Sequence, residues 1–114
     1  MRYFIKSIVL LALVIPAFAQ ALTHTVTLTW IDPNNPTGTT YNVYRATGLC
    51  TGTPIFSKIA SAVTVKTYTD STVVPGNYCF QVTATFNGSE SVPSNSVNPN
   101  VPAFAPSGLI FTVQ

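Results

Sequence analysis

Gly76-Asn77-Tyr78-Cys79-Phe80-Gln81-Val82-Thr83-Ala84-Thr85-Phe86, followed at once by Asn87-Gly88, is the stretch that decides the fold. Its residues alternate: Tyr78, Phe80, Val82 and Ala84 fall on one side, and Cys79, Gln81 and Thr83 on the other. That period of two is the signature of a β-strand with one face in a core. Asn-Gly supplies the two left-handed residues of a tight hairpin turn, so Ser91 to Val97 is expected to return beside it. Moving upstream, the same reading gives strands at Thr67 to Thr72, Ile55 to Ala60 and Thr40 to Ala46. Tyr41 and Val43 share one face of the last of these, and Asn42 and Tyr44 the other. The first strand is Thr25 to Ile31, with Val26, Leu28 and Trp30 on one face. Between it and the second lies Asp32-Pro33-Asn34-Asn35-Pro36-Thr37-Gly38, a loop rich in turn formers. Short alternating runs with regular turn signals, and no helical periodicity, predict an all-β sandwich or small barrel.

Residues 1–19 read as a signal peptide rather than as part of this fold. Arg2 and Lys6 form a positive start, Ile8 to Ile15 an apolar centre, and Ala17-Phe18-Ala19 a small-x-small cleavage site. The apolar run is too short for a comfortable membrane span. The mature chain of about 95 residues is enough for one domain with a core of its own. Its charges are Arg45, Lys58 and Lys66 against Asp32, Asp70 and Glu90, which cancel. Such a surface has no electrostatic footprint for nucleic acid or anionic lipid, so neither partner is expected, nor a membrane once the leader is removed. It also does little to oppose self-association.

Cys50 and Cys79 are an even pair in an exported chain, and a disulfide is the default reading. Two cysteines and one histidine, His24, are too few for a typical zinc site. A nucleophile with its base, paired carboxylates and a phosphate loop are also missing, so neither catalysis nor a cofactor is expected. Asp32, Asp70 and Glu90 read as loop and turn residues. Asn87-Gly88-Ser89 has the form of a glycosylation sequon, but the same residues make an ordinary hairpin turn.

Taken in order, the segments resemble a fibronectin type III domain. Val26-x-Leu28-x-Trp30 is similar to that family's strand B, and Tyr41-Asn42-Val43-Tyr44-Arg45 to its strand C. Tyr68-x-Asp70, with Pro75 to Ala84, resembles the E–F corner and strand F. Gly88-Ser89-Glu90-Ser91-x-Pro93-Ser94-Asn95 resembles the F–G turn and strand G. The resemblance implies an immunoglobulin-like β-sandwich over residues 20–101. It implies that Trp30 anchors the core and that Tyr78 is a corner tyrosine bonded to upstream backbone. Cys79 would point away from the core, and its bridge to Cys50 would staple strand F to the C–C′ connection on the outer face.

The strand inventory departs from the family in one respect. Gln20 to His24 is too short for the strand A that should cover the open edge of Val26-x-Leu28-x-Trp30. Residues 102–114 instead end in Pro106-Ser107-Gly108-Leu109-Ile110-Phe111-Thr112-Val113-Gln114, which resembles a linker and the strand A of a following domain. Leu109, Phe111 and Val113 share a face; Ile110 and Thr112 take the other. In the family topology, strand G ends at the pole opposite the one where strand A begins, so docking onto the same molecule is geometrically poor. Donation of Leu109 to Val113 to the Val26–Leu28–Trp30 edge of a second copy is therefore the leading expectation. The protein would be a secreted structural subunit, partnered by itself in a homopolymer. A monomeric adhesion or carbohydrate-binding module on the cell surface, with Tyr44 stacking on a glycan or meeting a protein, is the alternative.

Overall fold

The computed structural model describes residues 22–114, so the signal peptide expected over residues 1–19 lies outside the described residues. The described chain forms seven strands and, among the described residues, no helix. They are β1 (His24–Thr29), β2 (Thr40–Thr47), β3 (Ser57–Val63), β4 (Thr67–Val73), β5 (Gly76–Phe86), β6 (Ser89–Glu90) and β7 (Asn100–Val101). β1 pairs with β4 in one sheet, and the order β3-β2-β5-β6 makes the other, with β7 also on β5. The two sheets form a β-sandwich.

The spine of the larger sheet is the β2–β5 ladder, which runs without a shift from Thr40↔Thr85 to Thr47↔Tyr78. Alternation along both strands aims Val43, Tyr78 and Phe80 inward, where they meet Leu28, Val73 and Val101 in one core cluster. Val26, Trp30, Ile59, Ala60, Tyr68 and Val82 pack around it. Phe80, Val43 and Val73 are fully buried, so truncating Phe80 to alanine costs about 3–5 kcal/mol. The Asn87-Gly88 turn takes positive φ at both residues, 49° and 76°, as a two-residue hairpin requires. Tyr78 closes the β4–β5 corner: its hydroxyl donates to the Val74 carbonyl at 2.8 Å and accepts from the Val74 N–H at 3.1 Å.

Four expectations need correction. The first strand ends at Thr29 rather than Ile31, so Trp30 stands just past it, half-buried and packed on the core with its ring edge-on to Tyr41. The third strand begins at Ser57 rather than Ile55, and Ile55 points to solvent. Asp70 is no turn residue: it lies in β4, buried, with Arg45 of β2 at 2.6 Å, an ion pair that joins the two sheets. The return over Ser91 to Val97 is extended but not a regular strand. The N–H groups of Ser91, Ser94 and Val97 donate to the carbonyls of Ala84, Val82 and Phe80, three residues stepping against two. The Ser94 and Ser91 hydroxyls accept from the Val82 and Ala84 N–H groups, replacing carbonyls that the wider step carries out of reach.

Candidate assembly site: an open strand edge and an exposed terminal segment

The edge of β1 that faces away from β4 is the first half of the site. Among the described residues no strand pairs with it. The Trp30 N–H donates to the Lys66 carbonyl on the β4 side. By alternation, Thr25, Thr27 and Thr29 turn their N–H and C=O groups to the open edge. The even side chains, Val26, Leu28 and Trp30, face the core along the same edge.

Across from this edge lies the irregular return segment, and the two do not meet. A cleft of about 90 Å³ separates them, lined by Leu28 and Trp30, by Phe80 and Val82 of β5, and by Ser94 and Val97. It runs on past Trp30 into more open hollows that reach Ile31, Val92 and Pro93. Ile31 and Val92 are almost wholly exposed at that mouth. Two buried side-chain nitrogens have no hydrogen-bond partner among the described residues, His24 Nε2 and Trp30 Nε1, and they belong to the two ends of β1. Orphaned groups of this kind are uncommon in a closed sandwich.

The tail is the second half. Val101 is the last core residue, paired to Gly76 at the pole where β1 begins. Phe104 stacks on the His24 ring at 4.0 Å, which fixes the point of departure. Beyond it the chain is in no strand. Leu109 (98%), Ile110 (85%), Phe111 (88%) and Val113 (81%) are exposed to solvent. Gly108 has φ of 72°, a left-handed bend that separates the linker from the apolar run.

Cys50 and Cys79 form the expected disulfide. Cys79 is fully buried yet outside the core cluster, on the reverse face of β5. The bridge anchors more than the loop after β2. The Cys50 N–H donates to Asn98 Oδ1 at 3.1 Å, and Asn98 Nδ2 donates to the Tyr78 carbonyl at 2.6 Å. Asn98 thus clamps the segment leading into β7, a role its sequence context did not signal.

The acids are separately engaged. Hydrogen bonds from Asn35 and then Tyr41 hold the Asp32 carboxyl below its ordinary range. Burial pushes the Asp70 carboxyl up, but the Thr72 hydroxyl and N–H and the Arg45 guanidinium together outweigh it, and its pKa is lowered. Glu90 is held low by the Thr83 hydroxyl and then by that of Tyr44. Among the described residues no three His, Cys, Asp or Glu side chains cluster as a metal site would need. Tyr44, the residue expected to meet a glycan, donates its hydroxyl to Glu90, and the Lys58 ammonium sits over its ring.

Comparison with solved structures returns a fibronectin type III domain, the fourth of a human protein, solved in solution. It superposes with a TM-score of 0.59 at 21% identity, covering 75% of this chain and 72% of that one. The fold is fibronectin type III-like. No family model matches the sequence, and no curated protein is similar to it.

Proposed function

We propose that the protein is a secreted structural protein, the subunit of an extracellular filament assembled head to tail by donor-strand complementation. The observation that carries this reading is the pairing of two unsatisfied features in one chain. A strand edge beside the core is open, and an apolar alternating segment, Leu109 to Val113, stands in solvent.

Direction separates donation to a second copy from self-docking. The tail leaves at the pole where β1 starts. To enter its own groove it would have to reverse and run parallel to β1. A tail entering a neighbour from the Trp30 pole runs antiparallel to β1, the stronger pairing. A head-to-tail contact whose rotation does not close a ring generates a fibre. Burying Leu109, Phe111 and Val113 contributes about 1.5–3 kcal/mol each. That sum is comparable to the cost of association, about 4–15 kcal/mol. The backbone ladder to Thr25, Thr27 and Thr29 is therefore needed to tip the balance. A disulfide and this fold both fit an oxidising extracellular setting.

The mature chain is expected to form filaments under negative-stain electron microscopy, and a variant lacking residues 106–114 to sediment as a monomer. A monomeric full-length chain, or filaments from the truncated one, would overturn the proposal.

A further inference from the structure

We infer that Phe111 is the anchor of the donated strand, seated in the neighbour's cleft between Leu28, Trp30, Phe80, Val82 and Val97, with Leu109 beside Trp30 and Val113 beside Val26. This assignment of register rests on the filament reading, and it goes beyond it by saying which side chain fills which part of the groove.

Three constraints select it. The first is parity. Val26, Leu28 and Trp30 are the core-facing residues of the open edge, so the apolar face of the donor must lie opposite them. A slip of one residue would turn Ile110 and Thr112 inward instead. The second is the extent of the edge. With Phe111 opposite Leu28, all three apolar donor residues find an apolar partner. A shift of two in one direction carries Leu109 opposite Asp32, in the polar loop. The same shift in the other direction carries Val113 opposite His24. The third is shelter from solvent. The least open part of the groove lies alongside Leu28 and Trp30, between β1 and the return segment and against the fully buried Phe80, and Phe111 is the largest apolar donor side chain to bury there. Either shift would send a smaller side chain to Leu28.

The same register has two further consequences for the chain. Ile110 falls opposite Thr29 and Thr112 opposite Thr27, on the solvent face. Those two threonines are among the residues whose N–H and C=O groups face the open edge, so each pair can exchange both backbone hydrogen bonds. Gly108 falls opposite Ile31, at the mouth of the groove. Its left-handed bend then lets the linker turn out of the ladder where the neighbour's body begins.

Cysteine cross-linking of the full mature chain tests the register directly. Thr29 and Ile110 are both exposed, so replacing them leaves the fold in place. Opposed residues of an antiparallel ladder lie about 5.5 Å apart, within disulfide reach. Thr29→Cys with Ile110→Cys is expected to give a ladder of covalent oligomers on non-reducing gels. Thr27→Cys with Ile110→Cys, two residues out of step, is expected to cross-link at least tenfold less. Phe111→Ala is expected to raise the concentration needed for assembly at least tenfold, and more than Leu109→Ala or Val113→Ala. Filaments in which the Thr27 pair cross-links as well or better would overturn the register while leaving strand donation intact. A fast-running cross-linked monomer from the Thr29 pair would overturn donation between copies. Filaments that need no residues 106–114, with neither pair cross-linking, would remove both.

Discussion

Asp70 is a buried carboxylate that holds the two sheets together from one side chain. It accepts from the Arg45 guanidinium at 2.6 Å, from the Thr72 hydroxyl at 2.7 Å and from the Thr72 N–H at 3.0 Å. Because its folded pKa lies below the unfolded value, its contribution is fully present above the ordinary aspartate range near pH 4. It is lost as pH falls through the folded pKa. Asp70→Asn is expected to cost about 2 kcal/mol at neutral pH. The same variant should flatten the acid limb of denaturant-unfolding stability below pH 4; an unchanged acid limb would mean another group controls it. Tyr78 and Asp70 contrast in what the sequence reveals. The tyrosine corner is local, four residues from its partner Val74, and the motif around it shows it. The partner of Asp70 is 25 residues away in the other sheet, and Tyr68-Thr69-Asp70-Ser71-Thr72 reads locally as an approach to a turn.

At the scale of elements, legibility follows how much of each strand's structure is its own. β5 was readable end to end because alternation and the Asn87-Gly88 turn are local signals, and the structure gives it the same limits, Gly76–Phe86. The start of β3 lies two residues later than the sequence suggests because Ile55-Phe56 is apolar, yet Ile55 meets solvent beside the Cys50 loop, and the strand runs on to Val63 rather than ending at Ala60. The return segment reads as a ladder in sequence because Ser91 and Ser94, whose hydroxyls stand in for carbonyls, follow a step of three that the strand period of two does not signal. Its far wall of the groove, Ser94 and Val97, was invisible for the same reason; only packing brings it opposite β1. The disulfide joins the loop after β2 to β5 and, through Asn98, braces the approach to β7. Replacing both Cys50 and Cys79 by serine is expected to destabilise by about 3–4 kcal/mol. In a thermal melt that should appear as a midpoint lowered by more than about 12 °C. A drop of only a few degrees would show that Asn98 and the β2–β5 ladder hold this region without the bridge.

At the scale of the molecule, the body is a sandwich in which, among the described residues, no strand covers the outer edge of β1, and an apolar segment stands in solvent outside it. The alternation of both segments is legible in the sequence, in Val26-x-Leu28-x-Trp30 and in Leu109-x-Phe111-x-Val113. The cleft beside β1 is not. The balance of charge over the expected mature chain points the same way, since neither sign accumulates to keep copies apart.

The placement of the disulfide bears on how such a subunit would carry load. A pull applied between β1 and the tail reaches β5 through Val101 and Asn98, and strains the β2–β5 ladder along its length. The bridge short-circuits the 29-residue separation between Cys50 and Cys79, so that stretch cannot pay out while the sulfurs stay joined. In a single-molecule pulling experiment, reduction is expected to lengthen the extension at unfolding by roughly 100 Å, at about 3.5 Å per freed residue. Equal extensions before and after reduction would show that the bridge bears no tension. In a filament of the kind proposed, the Cys50–Cys79 bond would be a stop on elongation, setting how far one link could stretch before the strain passed to the next.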